Sequence, residues 1–72
     1  MSTLDAALLA AHAAQDHPAL VTLYARAAAQ TADADAACFY LTHAMVFALE
    51  LGDPRSEVFR AALVAQGREE AL

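Results

Sequence analysis

The stretch Tyr40-Leu-Thr-His-Ala-Met-Val-Phe-Ala-Leu-Glu-Leu-Gly-Asp53, followed at once by Pro54, decides how this chain is read. Apolar residues recur through it at intervals of three and four, the spacing that keeps side chains on one face of an α-helix. Gly52 is the residue type that most easily takes the left-handed conformation closing a helix. Pro54, which has no N–H to lose, suits the opening of the next one. The stretch therefore predicts a helix, a tight stop and a second helix. Pro18 follows a similar polar turn, Gln15-Asp16-His17. An offset of 36 residues (54 − 18) places Pro18 on Pro54, Ala25 on Ala61, Ala29 on Ala65 and Gln30 on Gln66, which suggests two related helical hairpins.

Working outward gives four helices. The first is expected from Leu4 to Ala14, with Ser2 or Thr3 as N-cap and Asp5 near the positive end of the helix dipole. Its apolar stripe is Leu4, Leu8 and Ala11, with Leu9 off to one side. The second, from Pro18 to Gln30, carries Leu20, Leu23, Tyr24 and Ala27 on one face and Thr22, Arg26 and Gln30 on the other. Asp33 caps the third, Ala34 to Leu51, whose main apolar face is Ala37, Tyr40, Leu41, Ala44, Phe47, Ala48 and Leu51. Its opposite face holds Asp35, Thr42, His43 and Glu50, yet Phe39 and Val46 lie among them. A helix apolar on two sides is packed on two sides. The fourth begins with Asp53 as N-cap and Pro54 in first position, buries Val58, Phe59, Ala62 and Leu63, and turns Glu57 and Arg60 to water. Gly67 ends it, and Arg68 to Leu72 are expected to fray.

The 72 residues form one domain, close to the smallest size at which a single core sustains folding. Hydrophobic residues are 60% of the chain, but alanine supplies much of that share and buries little surface, so the core is thin. Alanine is also the best helix former and lets helix axes approach closely. The net charge is −5, with no lysine and only Arg26, Arg55, Arg60 and Arg68 as permanent cations, which excludes a phosphate-tracking surface and with it nucleic-acid binding. The lack of Lys, Ile and Asn, whose codons are rich in A and T, points to a high-GC bacterial genome. The N-terminus has no basic start and apolar run of a secretory signal. The uncharged run Ala36 to Leu49 falls short of the about 20 residues of a membrane span. These features predict a cytoplasmic protein, and the single Cys38 is compatible with a reducing compartment.

Ala48-Leu-Glu-Leu-Gly-Asp-Pro54 resembles the end of a tetratricopeptide (TPR) repeat, whose second helix commonly finishes in a similar string before the next helix. Leu20, Leu23, Tyr24 and Ala27 sit at spacings similar to those of the large, Leu, small and aromatic positions of a TPR first helix, with the aromatic where a small residue belongs. Gln66-Gly67 and the residues to Leu72 look like the turn into a TPR second helix. The chain departs from the pattern in its long third helix, the extra Gly52, its short fourth helix and its lack of tryptophan. The resemblance covers residues 18–72 and implies an all-α fold of antiparallel helical hairpins that binds a peptide or helix in a groove.

Chemistry-bearing residues do not assemble into a reaction motif. Cys38 and His43 are five apart, as are His12 and His17, whereas ligands sharing a helix face are three or four apart, and no Cys-x-x-Cys or His-Glu-x-x-His occurs. Cys38 reads as a small buried apolar residue, His43 as a surface or interface residue, and His17 as a turn residue or N-cap. Ser56 reads as a first-turn residue that satisfies a free N–H. No catalytic residue, metal or cofactor is implied. The function expected is a non-catalytic interaction module, adaptor or chaperone-like, that holds a helix or peptide of another protein. A structural homo-oligomer such as a homodimer, and a small-ligand or metal-binding regulator using His43, Cys38 and nearby acids, are the alternatives. The partner-binding residues are Phe39, His43, Val46, Glu50 and Leu9: either Phe39 and Val46 form an interface, or the first helix folds over them with Leu9 as the contact.

Overall fold

The computed structural model describes residues 3–67, and these form four α-helices with no strand: α1 Thr3–Ala14, α2 His17–Gln30, α3 Ala34–Leu51 and α4 Arg55–Ala65. Arg68 to Leu72 and Ser2, for which fraying and an N-cap were expected, lie outside the described residues. Thr3 is already within α1.

Each boundary has a local cause. The Asp16 carboxylate accepts the Ala19 N–H at 3.2 Å and so caps α2, with Pro18 in the first turn. His17 is thus the first helical residue and not the cap. Asp33 Oδ1 accepts the N–H groups of Asp35 (2.9 Å) and Ala36 (3.3 Å), as expected of the cap of α3. At the end of α3 the Gly52 N–H reaches the Leu49 carbonyl (3.2 Å) and the Asp53 N–H the Ala48 carbonyl (2.8 Å), with Gly52 at φ +68°. This is the paired closure that left-handed glycine permits. α4 opens one residue later than expected: Pro54 holds the cap position, and Asp53 still accepts the Arg55 N–H at 2.9 Å.

The end of α1 repeats the closure of α3 without a glycine. The Gln15 N–H reaches His12 O at 3.1 Å, the Asp16 N–H reaches Ala11 O at 2.9 Å, and Gln15 itself lies at φ +53°. A Cβ in that region costs about 1–2 kcal/mol, offset in glycine by its greater freedom when unfolded. Gln15→Gly is therefore expected to stabilise the fold by about 0.5–1 kcal/mol, read as a higher denaturant midpoint. An unchanged or lower midpoint would show that Gln15 is unstrained.

The helices follow one another as antiparallel hairpins, each packing on its neighbours in sequence; no other pair brings Cα atoms within 8 Å. The molecule is flat, 34 × 29 × 12 Å. In such an open row the end helices have one neighbour each, so burial concentrates in the middle. Leu20 and Val21 on α2 are the largest fully buried side chains, joined in the core by Ala11, Tyr24, Ala44, Ala48 and Phe59. Leu8, Leu23, Tyr40, Leu41, Met45 and Phe47 pack partly buried against them. Ala44 and Ala48, one turn apart on α3 and completely covered, set how closely its neighbours approach.

The end position of α4 corrects one expectation. Only Ser56, Phe59 and Leu63, at spacings three and four, are covered, while Val58 is 66% exposed. With α3 as its sole helix neighbour, α4 has nothing to place over its far side. Ser56 lies in the first turn of α4, as expected, and is buried on the covered stripe. Leu51, assigned to the main face of α3, is also exposed, at the helix end.

Candidate functional site

Two features of α3 stand out from the core: a cluster of rings on the side facing α2, and an uncovered apolar face. The ring cluster centres on Tyr24. Its ring stacks on His43 at 5.0 Å and Phe47 at 6.1 Å between centroids, with Tyr40 at 6.2 Å. His12 Nε2 lies 2.8 Å from the Tyr24 hydroxyl, and the His17 ring lies 5.2 Å from Phe47. All three histidines of the chain thus border one Tyr24–Phe47 stack. They come from three different helices, so no spacing in the sequence announces them. The His43 Nδ1–H donates to the Phe39 carbonyl at 2.9 Å, fixing the ring beside Phe39, whose centroid is 4.4 Å away.

Burial raises the Tyr24 hydroxyl above its ordinary value, and Tyr40 adds to the shift. A pKa raised on folding gives stability that is complete below the unfolded value and is lost as pH rises through the folded one. Melting temperature is therefore expected to fall above a pH of about 10, and Tyr24→Phe should remove part of that fall. A parallel alkaline decline in both proteins would assign it to other groups.

Cys38 and His43 face different sides of α3: Cys38 is 5% exposed in the interior, whereas His43 faces Tyr24 and Phe39. Among the described residues no group of three His, Cys, Asp or Glu is placed to hold a metal ion. At the α3–α4 turn the Asp53 carboxylate meets Arg55 Nη2 at 2.7 Å, and hydrogen bonds from Arg55 hold its carboxyl below the usual range. Arg55 Nη1 also donates to Thr22 Oγ1 at 3.0 Å, tying the start of α4 to α2.

The second feature is the outward face of α3. Phe39 is 57% exposed, Val46 44% and Leu49 59%, with exposed Thr42 and Glu50 on the same arc. α2 and α4 take the other sides. A shallow hollow of about 240 Å³, lined by Thr42, His43, Val46 and Phe47, opens beside the arc. Another of about 310 Å³ lies between the start of α1 and the end of α2, lined by Thr3, Leu4, Ala7, Leu23, Arg26 and Gln30.

Of the five residues expected to bind a partner, four share this region: Phe39, His43, Val46 and Glu50. Leu9 does not. It is 61% exposed on α1, which packs on α2 and brings no Cα within 8 Å of α3. The alternative in which α1 folds over Phe39 and Val46 through Leu9 is thereby overturned, since all three remain exposed. Leu49 is the residue the sequence reading missed. The signal was there, because Phe39, Thr42, Val46 and Leu49 are spaced three, four and three. By length and composition α3 could also cross a membrane, since the whole helix of 18 residues exceeds its uncharged run.

No protein-family model matches the chain, and comparison with curated proteins and with solved structures gives no significant similarity.

Proposed function

We propose that this chain is a TPR-like interaction module without chemistry of its own, which holds a helix of a polypeptide against the outward face of α3. The observation that carries this reading is the exposure of Phe39, Val46 and Leu49 on one arc of a helix whose other sides are covered. In a chain whose largest fully buried side chains are Leu20 and Val21, leaving a phenyl ring and two branched aliphatic groups in water forgoes several kcal/mol, at about 1.5–3 kcal/mol for each fully buried side chain. Apolar anchors with polar residues beside them, here Glu50 and His43, are the usual make-up of a helix-binding surface. The TPR-like reading rests on the succession of antiparallel helical hairpins and on the sequence from Ala48 to Pro54.

A photo-crosslinking phenylalanine analogue at position 39, compared with one at Arg26 on the polar face of α2, tests the reading in cells expressing the chain. The expected result is a covalent adduct with a polypeptide at position 39 and none at position 26. No adduct at position 39, or equal adducts at both, overturns it.

A further inference from the structure

The hollow between the start of α1 and the end of α2 lies apart from the outward face of α3. Its walls come from one side of each helix: Thr3, Leu4 and Ala7 on α1, and Leu23, Arg26 and Gln30 on α2. Leu4, Ala7 and Leu23 are half-buried and apolar, whereas Thr3, Arg26 and Gln30 are polar and exposed. At about 310 Å³ the space is at the lower end of the roughly 300–1,000 Å³ of ligand sites, which likewise join apolar walls to a few orienting polar groups. We propose that this hollow binds a small amphipathic carboxylate, its acid group on Arg26 and its aliphatic chain on Leu4, Ala7 and Leu23.

Charge selects that class of ligand. The chain has nine Asp and Glu against four Lys and Arg, so carboxylates are in excess over the cations that could pair with them. Arg55 takes Asp53 at 2.7 Å. Arg26 takes none: among the described residues it makes no ion pair or hydrogen bond. Its neighbours three and four positions away are Thr22, Leu23, Ala29 and Gln30, so no acid shares its stretch of the helix face. No acid lines the hollow either. A guanidinium presents its N–H groups as a planar fork that matches the two oxygens of a carboxylate. The Gln30 amide and the Thr3 hydroxyl are further donors in the same lining. An unpaired cation beside half-buried leucines matches a molecule with an acid at one end and hydrocarbon at the other. Acetate would leave the leucines uncovered, and a neutral amide would leave Arg26 without a counter-charge. The site uses α1, which lies outside the residues 18–72 that resemble TPR repeats, and it is independent of the α3 face.

Octanoate, titrated into the isotope-labelled full chain at neutral pH and followed by NMR, tests this. The amide signals of Ala7, Leu23, Arg26 and Gln30 should shift saturably in the millimolar range, because the hollow is open to solvent. Those of Phe39, Val46 and Leu49 should stay in place. Arg26→Ala should weaken binding by roughly 10- to 100-fold, the range expected for hydrogen bonds to a charged group, with unchanged helical circular dichroism. Arg26→Lys, which keeps the charge without the fork, should lose less. Ala7→Leu, which fills the hollow, should abolish binding; if that variant fails to fold, the two Arg26 variants carry the measurement. Octanamide and acetate should each bind more weakly than octanoate. Equal binding of octanamide, equal binding of acetate or an unchanged affinity in Arg26→Ala overturns the proposal. Shifts centred on Phe39, Val46 and Leu49, or no saturable shift at all, overturn it as well.

Discussion

Tyr24→Ala is expected to unfold most of this domain, at a cost of about 3–5 kcal/mol. The tyrosine is 9% exposed and touches rings from α1 and α3 at once, so truncation removes packing that spans three helices. A domain this small has total stability on the order of 3–5 kcal/mol from its core. Leu41→Ala, at a half-buried position, should fall near the lower end of about 2–5 kcal/mol. Arg26→Ala and Glu57→Ala, both exposed, should stay within about 0.5 kcal/mol. Denaturant midpoints of the four variants make the comparison. Similar losses for Tyr24 and Arg26 would mean that the faces of α2 are wrongly assigned.

Enlarging an alanine should be nearly as damaging as removing a tyrosine. Ala48→Leu places three extra carbons at a position with no exposed surface, on a helix flanked by both α2 and α4. Overpacking of this kind costs about 1–3 kcal/mol and sometimes more. The upper end is expected here, because an open row can relieve the strain only by separating α3 from a neighbour. Combined with Ala44→Leu, one turn away on the same covered stripe, the loss should leave no folded population by circular dichroism. A double variant that melts like the wild type would show that the alanines do not set the helix spacing. The result bears on composition as well: alanine gives this chain little burial energy, but it allows the close approach that covers Leu20 and Val21.

How much of this was legible in the sequence follows from the range of the forces involved. The four helices and their boundaries depend on groups within a few residues of one another. Asp33 capping α3 and Gly52 closing it are events of that kind, so the helix count and the ends of α3 were readable from residue type and spacing alone. The thin core followed from composition, and the exposure of Phe39 and Val46 was foreshadowed by their place among polar neighbours. What the sequence left open depends on which helix lies beside which. Periodicity assigns a face to Val58 but does not say that α4, at the end of a row, has one helix neighbour and leaves that face bare. It gives Leu9 an apolar side chain without saying that α1 packs on α2 and leaves Leu9 exposed. It also spaces His12, His17 and His43 too irregularly to relate them, and only the packing of α1, α2 and α3 brings all three to the Tyr24–Phe47 stack. Local hydrogen bonding, with partners a few residues apart, determined the elements. Contacts between residues far apart in the chain, which no local pattern encodes, decided which apolar surface was buried and which was left exposed.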